Sequence, residues 1–423
     1  MNSFQKTVVV LLVFMVPLFP VVHAQATVKT DWKKDLEVYK DSLEEKHIDL
    51  YHSVTKEEFL TEWNKINESL ETAQDFEIVL KLMRLTRKIN DGHTSVSFGN
   101  LSRHRFPFEV EQIDGQWLVV KTLEENKDIL NTTLESINGN PIGKVAQEIS
   151  ELAQFVENEY SLKVRTASYL TIAELLFHLN LIDSKNTATF SFRDSENNQI
   201  NKTLPSIDAK VWQDTSTFSE INLNTPEITE PHTGNKELWF APVTGTDILY
   251  INFNSYPAFE AMQAFGQQLV AYIQENQIRQ VIIDMRENGG GDLYVGTVLA
   301  YALNLADSID WKNGVYVVTG NKTFSAATSN AALFKQLLNA KIVGEPTGSN
   351  PNGYQDMDTF TLTSSQLVIT YSKRLFRLSN ESNKPLKPEI TIEPRLKNYR
   401  EGNDIVLSKL IGRMKEESGS RSF

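Results

Sequence analysis

Val281-Ile-Ile-Asp-Met-Arg-Glu-Asn-Gly-Gly-Gly-Asp292 is the stretch on which the reading of this chain turns. Residues 281–285 form a short apolar run, the pattern of a strand buried on both faces. Three glycines directly after such a strand let the backbone approach a ligand closely and leave amide N–H groups facing a cleft. No Gly-Lys-Ser/Thr follows, which argues against a phosphate loop. An oxyanion site or a flexible turn fits instead. Asp284 and Arg286 suit fixing this loop better than reacting in it.

Working outward, strand and helix patterns alternate. Residues 248–253 read as a buried strand, 259–278 as a helix, 292–305 as a helix and 315–319 as a strand. A helix over 325–338 and a short strand over 341–344 follow. This alternation predicts a parallel, right-handed βαβ sheet covered by helices. Ligands of such sheets sit beyond the carboxyl ends of the strands, where the loops 286–292, 320–325 and 345–353 lie. Ser325 stands at a strand-to-helix junction. A serine there is ordinarily an N-cap. The same place suits a nucleophile, because the helix N-terminus stabilises negative charge and the N–H of Ala326 supplies an oxyanion donor.

The first half reads differently. Trp32, Leu36, Tyr39 and Leu43 share one helical face, as do Phe59, Trp63, Ile66 and Leu70. Thr55 with Glu58 makes a capping box for the second helix, and Asp75 is the expected cap of a third. Asn90-Asp91-Gly92 turns the chain, and residues 93–98 alternate like a strand. From 107 to 204 the pattern is short strands with polar turns. Asn138-Gly139 signals one hairpin, and 187–192 with 199–204 form another. Residues 169–181 read as one apolar helix.

Lys6, an apolar run over 8–22 and small residues around Ala24 read as a secretory signal peptide cut near Ala24. Pro17, Pro20 and the polar residues that follow disfavour a membrane anchor. The chain has no cysteine, so it has no lipid-attachment thiol, disulfide or thiolate metal site. A net charge of −12 speaks against nucleic acid and anionic membrane surfaces. These totals predict a secreted or periplasmic protein, not stably inserted in a membrane after cleavage, and leave its oligomeric state open.

Taken together, the motifs resemble the tail-specific (C-terminal processing) serine peptidases. Asp284, Arg286, Asn288, Gly290 and Gly291 match that family's Asp-x-Arg-x-Asn-x-Gly-Gly. Thr323-Phe-Ser325-Ala326 matches its nucleophile segment, and Ile342-Val-Gly-Glu345-Pro-Thr347 the strand after it. Asp91–Thr94 matches an upstream Asp-Gly-His-Thr element, while Pro388-Glu389-Ile390 and Gly402-Asn-Asp404 match the late ones. The pieces run in family order from about residue 31 to 412. The resemblance implies an α/β fold with a ClpP/crotonase-like ββα core and an N-terminal helical bundle. It also implies an inserted, small, mainly β domain, PDZ-like or degenerate, whose late strand-turn-strand residues 135–142 resemble.

The expected organisation is a signal peptide at 1–24 and a helical region at 25–104. A β-rich middle follows at 105–205, then a catalytic domain at 206–412 and a polar tail at 413–423. The Ser/Lys branch of the family carries a lysine where this chain has Asn350, which cannot serve as a base. The tricorn-like branch instead uses a histidine of the upstream element, and His93 sits at that place. An imidazole near its ordinary pKa of about 6.5 suits the role. The remaining histidines, His47 among them, sit in no comparable setting. By the same resemblance Glu381 would orient His93, and the amides of Gly290, Gly291 and Ala326 would form the oxyanion site. No metal or organic cofactor is implied. The expected partner is a peptide or protein substrate, with Ser325 attacking a peptide or ester bond. The alternative is an inactive relative that binds peptides or apolar small molecules in the same cleft.

Overall fold

A computed structural model describes residues 30–98, 103–228, 236–378 and 384–419. The signal-peptide reading at 1–24 and Glu381 lie outside the described residues.

Strands apolar on both faces build the central sheet. Its spatial order is Leu238–Pro242, Ile248–Phe253, Gln280–Asp284, Val315–Thr319, Lys341–Gly344 and Ile390–Thr391. The first pair is antiparallel and every later pair parallel, as the alternating pattern predicts. Side chains on a strand alternate between faces, and each face has its own cover. Leu249, Ile251, Val281, Ile283, Val317 and Ile342 pack with the helices Phe259–Glu275, Leu293–Leu303 and Ala326–Leu337. Tyr250, Ile282, Tyr316, Val318 and Val343 pack with the last helix, Ile405–Gly419. That helix runs past the boundary expected at 412, because Met414 is fully buried under the sheet.

The N-terminal bundle holds α1 (Trp32–Lys46), α2 (Lys56–Glu68) and α3 (Asp75–Ile89). The Thr55–Glu58 capping box is present. The cap of α3 is Gln74, not Asp75, whose carboxylate instead accepts the Trp32 indole N–H at 2.8 Å. The strand expected at 93–98 shortens to β1 (Ser95–Ser97), since the amides of His93 and Thr94 bond to the Asp91 carboxylate. β1 pairs antiparallel with Val368–Arg377, which pairs with Asn352–Thr361. This long hairpin has no counterpart in the sequence reading. Its Leu362, Leu367, Ile369 and Tyr371 join the core of α1–α3, so part of the region assigned to 206–412 packs with the bundle.

The middle region is a sheet containing Phe108–Ile113, Gln116–Leu123, Thr133–Ile137, Thr187–Arg193 and Gln199–Pro205. Asn138 and Gly139, at φ 46° and 76°, make the expected tight turn. Phe218–Glu220, beyond the boundary at 205, pairs with this sheet as well. The helix expected over 169–181 shortens to Ala173–His178, and a separate helix, Glu159–Tyr169, ends where it was expected to begin. The break lets the carbonyl of Thr171 accept the Phe106 amide at 2.8 Å.

Candidate active site

The Gly-rich loop is held in place by side-chain hydrogen bonds. Asn288 donates to the carbonyl of Phe253 at 2.7 Å and accepts the Gly290 amide at 3.0 Å. Arg286, half-buried between Asp284 and Asp404, bonds both carboxylates. Asp404 also caps the last helix through the amides of Val406 and Leu407. The Asp-x-Arg and Gly-x-Asp motifs thus meet in one ion network. Burial alone would lower the Arg286 pKa, but the two carboxylates outweigh it and hold the guanidinium charged. Asp284 and Arg286 fix the loop, as their sequence setting suggests.

The Ser325 loop lies against this one. Thr323 donates to the carbonyl of Met285 at 2.8 Å, and the Phe324 amide donates to the carbonyl of Asn288 at 3.0 Å. Gly290 has φ 108°, and a side chain there would meet Ser325 Cβ at 2.7 Å. Only glycine admits this approach.

Ser325 stands at the N-terminus of the helix Ala326–Leu337 with φ 53° and ψ −127°, and its side chain makes no capping hydrogen bond. Its Oγ lies 2.8 Å from His93 Nε2. Its own amide donates to Ser349 Oγ at 2.7 Å, and Ser349 donates to Thr328 Oγ1 at 2.8 Å. A helix cap is therefore not what this serine does. The turn is a strained strand-to-helix junction of the kind that presents a nucleophile.

His93 comes from the turn between α3 and β1 and is 4% exposed. Its carbonyl accepts from Thr370 Oγ1 at 2.7 Å, its ring lies 5.4 Å from that of Phe324, and Nδ1 has no side-chain partner among the described residues. Burial pulls the imidazole below its ordinary value, against the raising effect of the Asp91 charge.

The structure therefore brings Ser325, His93, Gly290 and Ala326 together. It differs on one donor: the Gly290 amide is taken by Asn288. The amides of Gly291 and Ala326 carry no hydrogen bond among the described residues. Asn350 is buried and accepts from Asn158 at 3.1 Å, beside the cap of the helix Glu159–Tyr169. Sequence reasoning missed Ser349, which accepts the Ser325 amide, and His47, whose Nε2 lies 2.7 Å from Asp91. Forty-four positions separate His47 from Asp91, and no local pattern joins them. A cavity of about 1530 Å³ opens beside the same loops, lined by Glu111, Arg286, Glu287, Lys322 and Glu345. Neither Ser325 nor His93 lines it, so the Ser325–His93 pair, not this hollow, is the candidate site.

No protein-family model and no curated protein matches the chain. Solved structures do. Mature CPAF aligns over 88% of this chain and 94% of its own, at 13% identity and a TM-score of 0.66. Mature CPAF complexed with lactacystin aligns over 91% and 97%, at 12% identity and the same score. A photosystem II D1 C-terminal processing protease aligns over 90% and 99% at 13% identity, but its TM-score of 0.42 is too low to carry an argument. At these identities the likeness to CPAF establishes a shared α/β fold.

Proposed function

We propose that the chain is an exported serine peptidase or esterase, with Ser325 as nucleophile and His93 as general base. One observation carries this reading: the 2.8 Å approach of Ser325 Oγ to His93 Nε2, from residues 232 positions apart. The serine is strained and has no capping role, so a structural explanation for its placement is lacking.

Neutral His93 takes the hydroxyl proton as Ser325 Oγ attacks the carbonyl carbon. The electron pair moves to the carbonyl oxygen, where the N–H groups of Ala326 and Gly291 are the donors on offer. Collapse expels the amine or alcohol, which receives the proton from His93, and water repeats the cycle on the acyl-enzyme. Glu381 is the carboxylate proposed to orient His93, whose buried Nδ1 has no side-chain partner among the described residues. The substrate is a peptide or protein. The core is of the ClpP/crotonase-like ββα kind, and the middle sheet is its PDZ-like or degenerate insert. The tricorn-like branch is the better kinship, because Asn350 is engaged with Asn158 and has no basic atom to offer.

Incubation with a fluorophosphonate is the direct test. Wild type is expected to form a covalent adduct on Ser325 and Ser325→Ala none. An unlabelled wild type would leave a cleft that only binds.

A further inference from the structure

The catalytic histidine of this reading has no side-chain partner at Nδ1 among the described residues. Its position is also set through its backbone, which Asp91 holds. Asp91 Oδ1 accepts the amides of His93 at 2.8 Å and Thr94 at 2.7 Å, and the hydroxyl of Ser372 at 2.9 Å. Its other oxygen, Oδ2, faces His47 Nε2 at 2.7 Å, with both side chains sealed from solvent.

His47 ends α1, in extended backbone after the last helical turn. Its Nδ1 accepts the amide of Asp49 at 3.0 Å. A ring nitrogen that accepts an N–H carries no proton, so the proton sits on Nε2 and is donated to Asp91. The ring is held by aromatic neighbours as well. His52 lies at 6.1 Å and Tyr354 at 6.0 Å, and Tyr354 reaches back to donate to Asp49 at 2.9 Å. The adjoining Ile48 amide bonds the carbonyl of Ser372, on the strand that pairs with β1.

We propose that His47 is a positioning residue for the Ser325–His93 pair: a neutral imidazole that, through Asp91, fixes the turn on which His93 stands. This rests on the hydrolase reading above. His47 touches no reacting atom and acts through the Asp91 carboxylate. Without its donor, Oδ2 is buried and unpaired, which a carboxylate tolerates poorly. The turn then relaxes and His93 Nε2 drifts from Ser325 Oγ. Misplacement of a reacting group by about 1 Å costs up to ~100-fold in rate.

The test uses the mature chain with ¹⁵N-labelled histidine, as wild type, His47→Leu and His47→Gln. Ring ¹⁵N shifts should show His47 as the Nε2–H tautomer at pH 7; the other tautomer or an imidazolium overturns the proposal. Assayed well below its melting temperature, His47→Leu should lose about 10–100-fold in kcat and in fluorophosphonate labelling rate, with KM little changed. His47→Gln keeps an N–H donor toward Asp91 and should recover most of the loss. A folded His47→Leu with wild-type kcat sinks the inference, and so does a folded His47→Gln as impaired as the leucine variant. Should His47→Leu fail to fold, the glutamine variant and the tautomer still decide. A wild type that neither labels nor hydrolyses refutes the hydrolase reading and the inference with it. A labelled, active wild type beside an unaffected His47→Leu refutes the inference alone.

Discussion

Ser325 holds φ 53° and ψ −127°, a conformation that side chains bearing a Cβ adopt only under strain. Replacing it by alanine or glycine should abolish hydrolysis and labelling alike, but the two variants should differ in stability. Glycine relieves the strain and alanine does not, so Ser325→Gly should be more stable than Ser325→Ala by about 1–3 kcal/mol in urea titrations. Equal stabilities would mean the turn is relaxed. His93 makes a second residue-scale case. Burial, opposed but not overcome by Asp91, lowers its pKa from 6.5. A base must be neutral to accept a proton, so kcat/KM should rise along an acidic limb lying below pH 6.5. His93→Gln should cut the rate by about two to four orders of magnitude. A limb above pH 6.5, or one that survives in His93→Gln, would point to another base. The same depressed pKa costs stability: the folded state is favoured above 6.5 and loses ground as pH falls toward the folded-state value.

At the scale of elements, the Gly-rich loop and the Ser325 loop are clamped to the middle region. Lys322, three positions before Ser325, bonds Glu111 of the strand Phe108–Ile113 at 2.6 Å and Glu287 of the Gly-rich loop at 2.8 Å. Tyr399 donates to the other oxygen of Glu111. Burial pulls the Lys322 ammonium down, but the two carboxylates outweigh it and hold the group above the ordinary lysine range. A raised folded-state pKa stabilises the protein below the unfolded value, and that benefit fades as pH rises through the folded one. Lys322→Met should therefore melt earlier than wild type at pH 7, with the gap narrowing beyond about pH 10.5. It should still label at Ser325, since Lys322 is a clamp and not a base. Loss of labelling in a folded Lys322→Met would contradict this.

At the scale of the whole molecule, the last helix closes the second face of the central sheet. Met414 is fully buried there, and Glu417 accepts from Tyr316 at 3.2 Å. A chain stopped after Gly412 should be less stable than one stopped after Gly419 by at least the burial of one methionine, about 1.5–3 kcal/mol. Calorimetry on the two truncations distinguishes them; identical melting temperatures would show that the helix end contributes nothing.

What the sequence by itself determined is the local chemistry. Apolar runs of strand length, spaced by helical periodicity, specify the parallel sheet because burial on both faces leaves no polar alternative at Val281, Ile282 and Ile283. Asn138-Gly139 and the Thr55–Glu58 box were legible because backbone sterics and capping act within a few residues. The motifs also marked Ser325 and His93 separately. Only the tertiary structure decided that they meet, that Gly290 spends its amide on Asn288, and that His47 supports Asp91. It alone placed the hairpin of Asn352–Thr361 and Val368–Arg377 with the N-terminal bundle. These pairings join positions far apart in the chain. Their energy lies in desolvated hydrogen bonds and shared apolar surface, which no local periodicity records.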